Sequence, residues 1–310
     1  MITREAITRA AARIAGQVRR TPVIDVTIAG VGLPVTLKLE LLQHAGSFKS
    51  RGAFNTLLQA SVGPGGVATA SGGNHGAAVA YAARQLGHRA KIFVPEISSP
   101  AKVARIASYG AEVVQKGANY SEALALCDVW IAETGATGVH AYDAEATLEG
   151  QGTLARELEA QAPGIDTLLV AVGGGGLIGG IAAWYQSNVK VVGVEPLTCN
   201  TLHAAMAAGE RVQVKPSGLA TDSLGASMVG KLMFDIAKHH IADVALVSDD
   251  DIRNAQRQLW RDMQLVTEPG GATALAALLS GAYKPEKDER VGVVVCGANT
   301  SMDVFGQLFS

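Results

Sequence analysis

One lysine and three short segments carry the chemistry that this sequence offers. The lysine, Lys49, follows Phe48 in the segment GSFKSRGA. The other segments are SGGNHG at 71–76, GGGGL at 173–177 and CGAN at 296–299. Together they supply an amine that can act as a nucleophile or base, a polar loop, a run of backbone N–H groups for an anion, and a thiol.

The glycine run at 173–176 predicts a phosphate-binding turn. It lies between the apolar residues 168–172, which indicate a strand, and a helix that begins near Leu177. Backbone N–H groups at such a turn converge on an anion, and the positive end of the following helix adds to the attraction. A tight turn with positive φ is the structural alternative, although it rarely requires four glycines in a row. The spacing fits neither the dinucleotide fingerprint nor the Gly-Lys-Ser/Thr loop, so we expect a phosphate without a dinucleotide.

Lys49 is expected one turn into a helix that covers residues 47–59, with Ser47 as its N-cap. A lysine in a helix usually lies in solvent. Here Phe48 and the apolar pair Ala53-Phe54 flank the amine. Removing water from an amine lowers its pKa and makes it a better nucleophile or base, so Lys49 is the candidate catalytic residue.

The segment at 71–76 and the residue Cys296 each have both a functional and a structural interpretation. Ser71 and the backbone amides beside it suit a carboxylate, and Asn74 can donate to a phenolate oxygen, but this segment also resembles an ordinary helix N-terminus with His75 packed nearby. Cys296 ends the last apolar strand, where open α/β sheets place their ligands. Taken alone, it is equally typical of a buried structural thiol.

Short β-rich runs alternate with helical patterns along the chain, which predicts an α/β protein with two lobes, each an open and mostly parallel sheet flanked by helices. The predicted strands are 35–40, 67–70, 90–94, 112–115, 138–141, 167–172, 191–194, 244–247 and 291–296. The predicted helices are 3–18, 47–59, 74–86, 99–109, 120–133, 144–159, 176–187, one from 198, 249–263 and a short one at the C-terminal end. Residues 214–230 are expected to form a loop that enters a helix.

The composition narrows the class of protein. A chain of 310 residues favours two lobes. The formal charge of −2 argues against binding of nucleic acid, and no apolar run is long enough to span a bilayer. Three widely separated cysteines predict a reduced compartment, and we expect the cytoplasm. No metal-binding or hydrolase motif is recognised.

Taken together and in order, these segments resemble the serine/threonine dehydratase and serine racemase family. The resemblance rests on KxExxQxxGSFKxRGA at 38–53, SxGNH at 71–75, the glycine run and CGAN, and it spans nearly the whole chain. Members of that family are fold-type-II pyridoxal-phosphate enzymes with a tryptophan-synthase-β-like fold. The resemblance implies pyridoxal 5′-phosphate, a small amino-acid substrate and a homodimer. It also implies a large domain of residues 1–52 plus 147–310, with a small domain of 53–146 inserted in it.

The resemblance also implies a role for each matching residue. Lys49 would form the Schiff base with the cofactor and remove the Cα proton of the substrate, and departure of the β-hydroxyl would be assisted by the cofactor phosphate. Phe48 would pack beside the ring, Asn74 would bind the 3′ oxygen and Cys296 would face the ring nitrogen. The residues that would bind the phosphate are Gly173, Gly174, Gly175, Gly176 and Leu177. Those that would line the pocket for the substrate carboxylate are Ser71, Gly72, Gly73 and His75.

Three departures from the family pattern bear on the reaction. Racemases of the family have a serine in a substrate-side loop, whereas this chain has Gly72, which offers no acid or base, at the variable second position of the SxGNH segment. A serine from another loop could serve instead. Cation-binding members have further oxygen ligands after the position of Glu195, where this chain has Cys199 and Thr201. Glu195 is therefore only a weak metal candidate, and a tight divalent-cation site is not expected. Residues 221–223 are Thr-Asp-Ser in place of the usual Ala-Asp-Gly.

These considerations favour an ammonia-lyase that converts L-threonine, L-serine or both to the 2-oxo acid and ammonia. A thiol at the ring nitrogen leaves the ring less able to stabilise a long-lived carbanion, which favours prompt loss of a β-leaving group. The alternatives are a serine racemase and a dehydratase of another 3-hydroxy amino acid, such as hydroxyaspartate or phenylserine. A non-catalytic ligand sensor is the alternative outside enzymes, although binding alone would not require Lys49.

Overall fold

The computed structural model describes residues 2–28 and 30–309. The strands of this part of the chain are β1 (Val23–Thr27), β2 (Pro34–Lys38), β3 (Val67–Ala70), β4 (Ala90–Val94), β5 (Glu112–Gln115), β6 (Thr137–Gly138), β7 (Thr167–Ala171), β8 (Lys190–Pro196), β9 (Asp243–Val247) and β10 (Val291–Val294). The α-helices are α1 (Arg4–Arg13), α2 (Lys49–Gln59), α3 (Asn74–Gln85), α4 (Pro100–Ser108), α5 (Tyr120–Thr134), α6 (Glu145–Gln161), α7 (Gly176–Tyr185), α8 (Thr201–Ala208), α9 (Thr221–Leu224), α10 (Lys231–His240), α11 (Asp249–Met263), α12 (Pro269–Ser280) and α13 (Met302–Gly306). None of these helices is both long enough and apolar enough to cross a membrane.

The strands form two sheets. The larger sheet has the order β1-β2-β10-β7-β8-β9, in which β1 and β2 are antiparallel and every other pair is parallel. The smaller sheet, β5-β4-β3-β6, is parallel throughout. This architecture confirms the predicted α/β class. The predicted domain limits at residues 52/53 and 146/147 stay a prediction.

The middle of the larger sheet is covered by helices on both faces. Every residue of β7 (TLLVA) and of β10 (VGVV) is buried, as expected for strands between two helical layers. Helix α7 is buried on all sides, and α12 is buried over nine of its twelve residues. The carboxyl ends of β7 and β10 lead into the turns at 172–176 and 295–299, at the edge of the sheet where open α/β proteins place their ligands.

The structure corrects several predictions about the elements. Strand β1 and helices α9 and α12 were not predicted, and α1 ends at Arg13 instead of residue 18. The loop predicted at 214–230 contains α9 and leads into α10, as the prediction of a following helix required. The predicted strand at 138–141 is only the two-residue β6. Helix α2 has Phe48 as its N-cap, and no side chain caps it. The predicted cap, Ser47, is extended (φ −161°, ψ 162°) because its backbone forms an antiparallel bridge with Gly297.

A buried ionic cluster explains the first part of the family motif. The guanidinium of Arg51, in α2, binds Glu40 (Nε to Oε1, 2.6 Å) and Glu157 of α6 (3.1 Å). The amine of Lys38, at the end of β2, also binds Glu157 at 2.5 Å. Lys38, Glu40 and Arg51 are at most 1% exposed. Because a charge left buried without its partner is costly, the cluster holds α2 against β2 and α6 in one position, and Lys49 starts that helix.

Candidate active site

A cavity opens where α2, α3, α7 and α12 begin, beside the carboxyl ends of β7 and β10. The residues that line it are Phe48, Lys49, Asn74, Ala171, Gly173, Gly174, Gly175, Gly176, Leu177, Ser223, Leu224, Glu268, Gly270 and Cys296. Every residue predicted to bind the cofactor is in this set. Five lining residues were not predicted as site residues, namely Ala171, Ser223, Leu224, Glu268 and Gly270. The structure thus brings together residues that are far apart in the sequence, since Phe48 and Cys296 are separated by 248 positions.

Lys49 enters the cavity from the first position of α2. The bridge between Ser47 and Gly297 and the hydrogen bond from Phe48 N to Cys296 O (3.2 Å) hold this position against the end of β10. The Lys49 amine donates to the carbonyl of Ala141 at 2.8 Å. Burial lowers the pKa of the amine to about 8, although the nearby Cys296 and Glu268 act in the opposite direction. An amine with such a pKa is partly neutral near physiological pH and can attack a carbonyl or accept a proton.

The glycine run forms the turn between β7 and α7. Gly175 is the N-cap of α7 and has φ 89°, a conformation that favours glycine. A Cβ on Gly174 would overlap the ring of Tyr142, and a Cβ on Gly175 would overlap Met233. The glycines are therefore required chiefly because protein side chains pack against them. Among the described residues, the N–H groups of Gly174 and Gly175 donate to no protein acceptor.

The unpaired N–H groups of Gly174 and Gly175 are suited to bind an anionic group. The first N–H groups of a helix have no partner within the helix, and the helix dipole is positive at this end. They line the same cavity as a buried amine that a carbonyl compound could reach. A group with both a phosphate and an aldehyde fits this pair of features.

The segment that follows β6 was not predicted to contribute, yet it closes one side of the site. The carbonyl of Ala141 accepts from Lys49, and the ring of Tyr142 lies against Gly174. The carboxylate of Asp143 accepts from two backbone N–H groups at the start of α10, at 2.8 and 2.9 Å. Residues 141–143 therefore join the amine, the glycine turn and the larger sheet's helices. No sequence pattern marked them, because the partners of all three residues lie far away in the sequence.

A row of polar side chains forms another wall. Glu268 Oε1 accepts from Asn74 Nδ2 at 2.6 Å, and Asn74 Oδ1 accepts from Asn299 Nδ2 at 2.5 Å. Asn299 Nδ2 also donates to the carbonyl of Ala45 at 2.9 Å. Glu268 is 6% exposed, and burial raises its pKa to about 7 while the bond from Asn74 opposes the rise. The signal that could have found Glu268 is Pro269 followed by an apolar run, which is typical of a helix start.

Cys296 lies at the end of the cavity beside α12. Its Sγ donates to the carbonyl of Gly270 at 3.3 Å, and the N–H of Gly270 donates to Ser223 Oγ at 3.1 Å. Burial raises the pKa of the thiol, with Glu268 adding to the rise. Cys296 therefore presents a protonated thiol to the cavity at neutral pH.

The residues predicted to bind the substrate carboxylate lie just beside the cavity, at the start of α3. Ser71 Oγ accepts from Gly73 N at 3.3 Å. The ring of His75 is 5% exposed and its Nε2 lies 3.0 Å from Thr69 Oγ1 and 2.9 Å from the carbonyl of Val139. Burial, and then the charge of Lys49, lowers the pKa of His75 to about 3. The His75 ring thus joins α3 to the smaller sheet in its neutral form.

Gly72 is packed against a hydroxyl from another loop. A Cβ on Gly72 would lie 2.8 Å from Ser98 Oγ, and Ser98 precedes α4. Ser98 therefore takes up space that a side chain at position 72 would need. Substrate binding by Ser71, Gly72, Gly73 and His75 stays a prediction.

Glu195 is used as a helix anchor. Its carboxylate accepts from the backbone N–H groups of Leu202 and His203, each at 2.8 Å, and from Thr201 Oγ1 at 3.0 Å. Burial raises the pKa of Glu195 to about 7. Within residues 2–28 and 30–309, no three His, Cys, Asp or Glu side chains gather as a metal site would require.

Comparison with known proteins gives a consistent result. The family model described as "Pyridoxal-phosphate dependent enzyme" matches residues 14–297. A phenylserine dehydratase from Ralstonia pickettii is 37% identical over 303 residues, which cover 96% of this chain and 93% of that protein. A catabolic L-threonine dehydratase from Escherichia coli (strain K12) is 34% identical over 280 residues, which cover 88% of this chain and 85% of that protein. Among solved structures, maize serine racemase gives a TM-score of 0.93 at 32% identity and covers 98% of this chain and 96% of that chain.

Proposed function

Because the chain belongs to the pyridoxal-phosphate-dependent enzyme family, in its group of dehydratases and racemases, we propose that it is an ammonia-lyase acting on L-threonine, L-serine or both. In the net reaction the substrate loses its Cα hydrogen and its β-hydroxyl as water. Water then replaces the amino group, which leaves as ammonia, and a 2-oxo acid remains. Bound pyridoxal phosphate supplies an aldehyde that joins amines and a ring that withdraws electrons from Cα.

The residues of the cavity suit this cofactor. Lys49 would carry it through Nζ, and the unpaired N–H groups at Gly174 and Gly175 would hold its phosphate. The second N–H of the Asn74 amide is free for the ring oxygen, since the first donates to Glu268. Cys296, as a protonated thiol, would turn its one S–H from the carbonyl of Gly270 to the ring nitrogen, without protonating it fully.

Lys49 is the proposed base. Once the substrate's amine has taken its place, the freed amine would accept the Cα proton, and its lowered pKa increases the share of it that is neutral for this step. If Cys296 faces the ring nitrogen, as the family resemblance implies, a neutral thiol would stand where a carboxylate would otherwise keep the ring positively charged. This arrangement favours loss of the β-hydroxyl over a long-lived carbanion.

The observation that carries the proposal is the partly neutral amine of Lys49 in one cavity with the unpaired N–H groups of the glycine turn. The test incubates the purified protein and pyridoxal phosphate with L-threonine, L-serine, phenylserine and 3-hydroxyaspartate, and follows 2-oxo acid and ammonia. We expect both products from threonine or serine, in equal amounts. In Lys49→Ala, turnover should fall by at least about a thousandfold, since the base and the covalent attachment are both removed.

Release of ammonia without oxo acid, or equal turnover in the wild type and Lys49→Ala, would contradict the proposal. Turnover of phenylserine alone would keep the reaction and change the substrate to a bulkier 3-hydroxy amino acid. That alternative draws support from the relative in Ralstonia pickettii, which is named for it. No turnover of any substrate by a protein that binds pyridoxal phosphate would favour the ligand sensor.

A serine racemase is the second candidate, and the position of Ser98 is the observation that favours it. Its hydroxyl lies 2.8 Å from the position that a Cβ on residue 72 would take, so the chain has a hydroxyl near that point although residue 72 is glycine. Formation of D-serine from L-serine without oxo acid would establish this candidate. Loss of D-serine formation in Ser98→Ala, with oxo acid unchanged, would assign the hydroxyl to that side reaction.

We also propose the larger organisation implied by the family. Residues 1–52 with 147–310 would form one lobe and 53–146 the other, with closure excluding water from the cavity. A cytoplasmic homodimer is proposed on the same basis. Light scattering on the purified protein would measure its mass directly against the 31.9 kDa of one chain.

A further inference from the structure

The Asn74 amide can take only one orientation in this site. Its Oδ1 accepts from Asn299 and its Nδ2 donates to Glu268. If the amide were turned over, Nδ2 would meet the N–H of Asn299 and Oδ1 would meet a carboxylate oxygen, so both contacts would be lost. The row of hydrogen bonds therefore determines where the remaining N–H of Asn74 points.

Glu268 has no other use that its surroundings reveal. It is the N-cap residue of α12, but its side chain makes no capping bond. Within the described chain, the only hydrogen bond of its carboxylate is the one from Asn74. Burial of a carboxylate is costly, and an amide or hydroxyl would cap a helix without that cost. Because Asn74 is the one hydrogen-bond partner of the Glu268 carboxylate among the described residues, we look for the role of Glu268 in its effect on Asn74.

The surroundings are built to admit this carboxylate. A Cβ on Gly297 would overlap Glu268 Oε1, so residue 297 must be glycine for the acid to reach Asn74. Asn74 begins α3 beside the smaller sheet, whereas Glu268 and Asn299 belong to the larger one. The hydrogen bond therefore also joins the two sheets at the cavity.

We propose that Glu268 is a positioning residue for pyridoxal phosphate, which fixes the Asn74 amide so that its free N–H meets the ring oxygen of the cofactor. The inference rests on the proposed function only for the identity of the cofactor, and it is independent of the reaction. The carboxylate is most effective when ionised, because a charged acceptor forms the stronger hydrogen bond with Asn74.

Several charges act on Glu268 from the elements around it. Lys102 and Arg105 of α4 lower its pKa, and Asp222 of α9 raises it. Lys49 of α2 and Cys296 after β10 interact with it electrostatically as well. Burial outweighs these contributions and raises the pKa of Glu268 to about 7. The positioning effect should therefore be complete above that pH and fade below it.

The experiment measures the affinity of the full chain, freed of cofactor, for added pyridoxal phosphate, together with the visible absorbance of the complex from below to above pH 7. Above pH 7 we expect Glu268→Gln to bind pyridoxal phosphate roughly tenfold more weakly than the wild type, because Asn74 loses a charged acceptor. Glu268→Ala should bind it more weakly still, because Asn74 then has no acceptor at this position. Below pH 7 the wild type and Glu268→Gln should converge.

Glu195→Gln is the matched control. Glu195 is also buried, its pKa is also raised to about 7, and its carboxylate accepts from backbone N–H groups at the start of α8. Its link to the cavity is indirect, through Thr201 Oγ1, which lies 3.0 Å from the carbonyl of Gly173, and a glutamine can still accept from that hydroxyl. This variant should lose stability but keep the wild-type affinity and pH profile. A purely structural role of Glu268 would lower affinity equally at every pH, as a helix anchor would.

Equal affinity of the wild type and Glu268→Gln above pH 7 would overturn the inference, as would a ratio of affinities that does not change with pH. If Glu268→Ala fails to fold, Asn74→Ala provides the second measurement, because in that background Glu268→Gln should have no further effect. Production of oxo acid is not part of this test. A wild type that binds the cofactor but lacks turnover would refute the proposed reaction alone.

Discussion

Burial shifts the ionisable groups of the site toward their neutral forms. It is the first cause of the lowered pKa of Lys49 and of the raised pKa of Glu268 and Cys296. The amine and the carboxyl therefore both titrate close to neutral pH, where an enzyme that transfers a proton benefits most. Such coupled shifts within one cavity are typical of an active site.

The pH dependence of cofactor attachment should reveal the pKa of Lys49. The neutral amine is the nucleophile, so the rate at which the cofactor-free protein binds pyridoxal phosphate should rise with pH and level off above about 8. An ordinary lysine, with a pKa of 10.5, would give a rate that rises until about that pH. Stopped-flow absorbance measures this rate. If the rate keeps rising well above pH 8, toward the pKa of about 10.4 of an ordinary lysine, the amine is solvated.

Sequence reasoning identified Lys49 but missed Glu268, and the difference has a physical origin. Lys49 stands in a motif with apolar neighbours, so its burial could be expected from local sequence. Glu268 becomes important only through Asn74, which is 194 residues away. No local pattern encodes such a pair. The glycine turn lies between these cases, since its position was predicted but its packing against Tyr142 and Met233 was not.

At the scale of elements, local signals succeeded where they were strong. The bounds of β4, β5 and α11 agree with prediction, and α11 starts with a capping box formed by Ser248 and Asp251. Helix α12 was missed because its first turn is Pro-Gly-Gly, which is more typical of a loop. Those glycines are needed because a Cβ on Gly271 would overlap the carbonyl of Gly297. Tertiary contact therefore overrode helix propensity at this point.

Alanine substitutions should separate the two demands on the glycine turn. In Gly175→Ala, the new Cβ would be attached to a residue with positive φ and would also overlap Met233. In Gly209→Ala, φ is also positive (73°), but no atom lies within 4 Å of the new Cβ. We expect Gly209→Ala to lower the free energy of unfolding by about 1–2 kcal/mol. Gly175→Ala should cost a further 1–3 kcal/mol or so, because overpacking adds to the strain. Urea denaturation measures both.

The same pair tests the location of the phosphate. Gly175→Ala should weaken binding of pyridoxal phosphate, and Gly209→Ala, at the end of α8, should leave it unchanged. If both variants bind the cofactor as the wild type does, the turn at 173–176 is only a structural turn.

At the scale of the whole molecule, acid should act on the junction that His75 forms between α3 and the smaller sheet. The folded pKa of His75 is about 3 and the ordinary value is 6.5, so the unfolded chain binds the proton first. Its contribution to stability is complete above pH 6.5 and is lost as the pH falls toward 3. At about pH 5 the loss is on the order of 2 kcal/mol.

Comparison with His75→Gln isolates this contribution, because Glu195 and Glu268 titrate in the same range with the opposite sign. The variant retains a donor for Val139 and Thr69 but does not titrate. The free energy of unfolding of the wild type, minus that of the variant, should decrease as the pH falls below 6.5. A difference that stays constant with pH would mean that His75 is charged or solvated in the native protein.

The position of β10 has a consequence for synthesis of the protein. This strand lies between β2 and β7, yet its residues, Val291–Val294, are translated after both of these neighbours. Until they leave the ribosome, β2 and β7 expose unpaired edges that invite aggregation. Cys296, Gly297 and Asn299 also arrive only then, so a nascent chain cannot capture its vitamin-derived partner. Chains released prematurely before residue 291 should therefore accumulate as colourless substrates for chaperones and proteases.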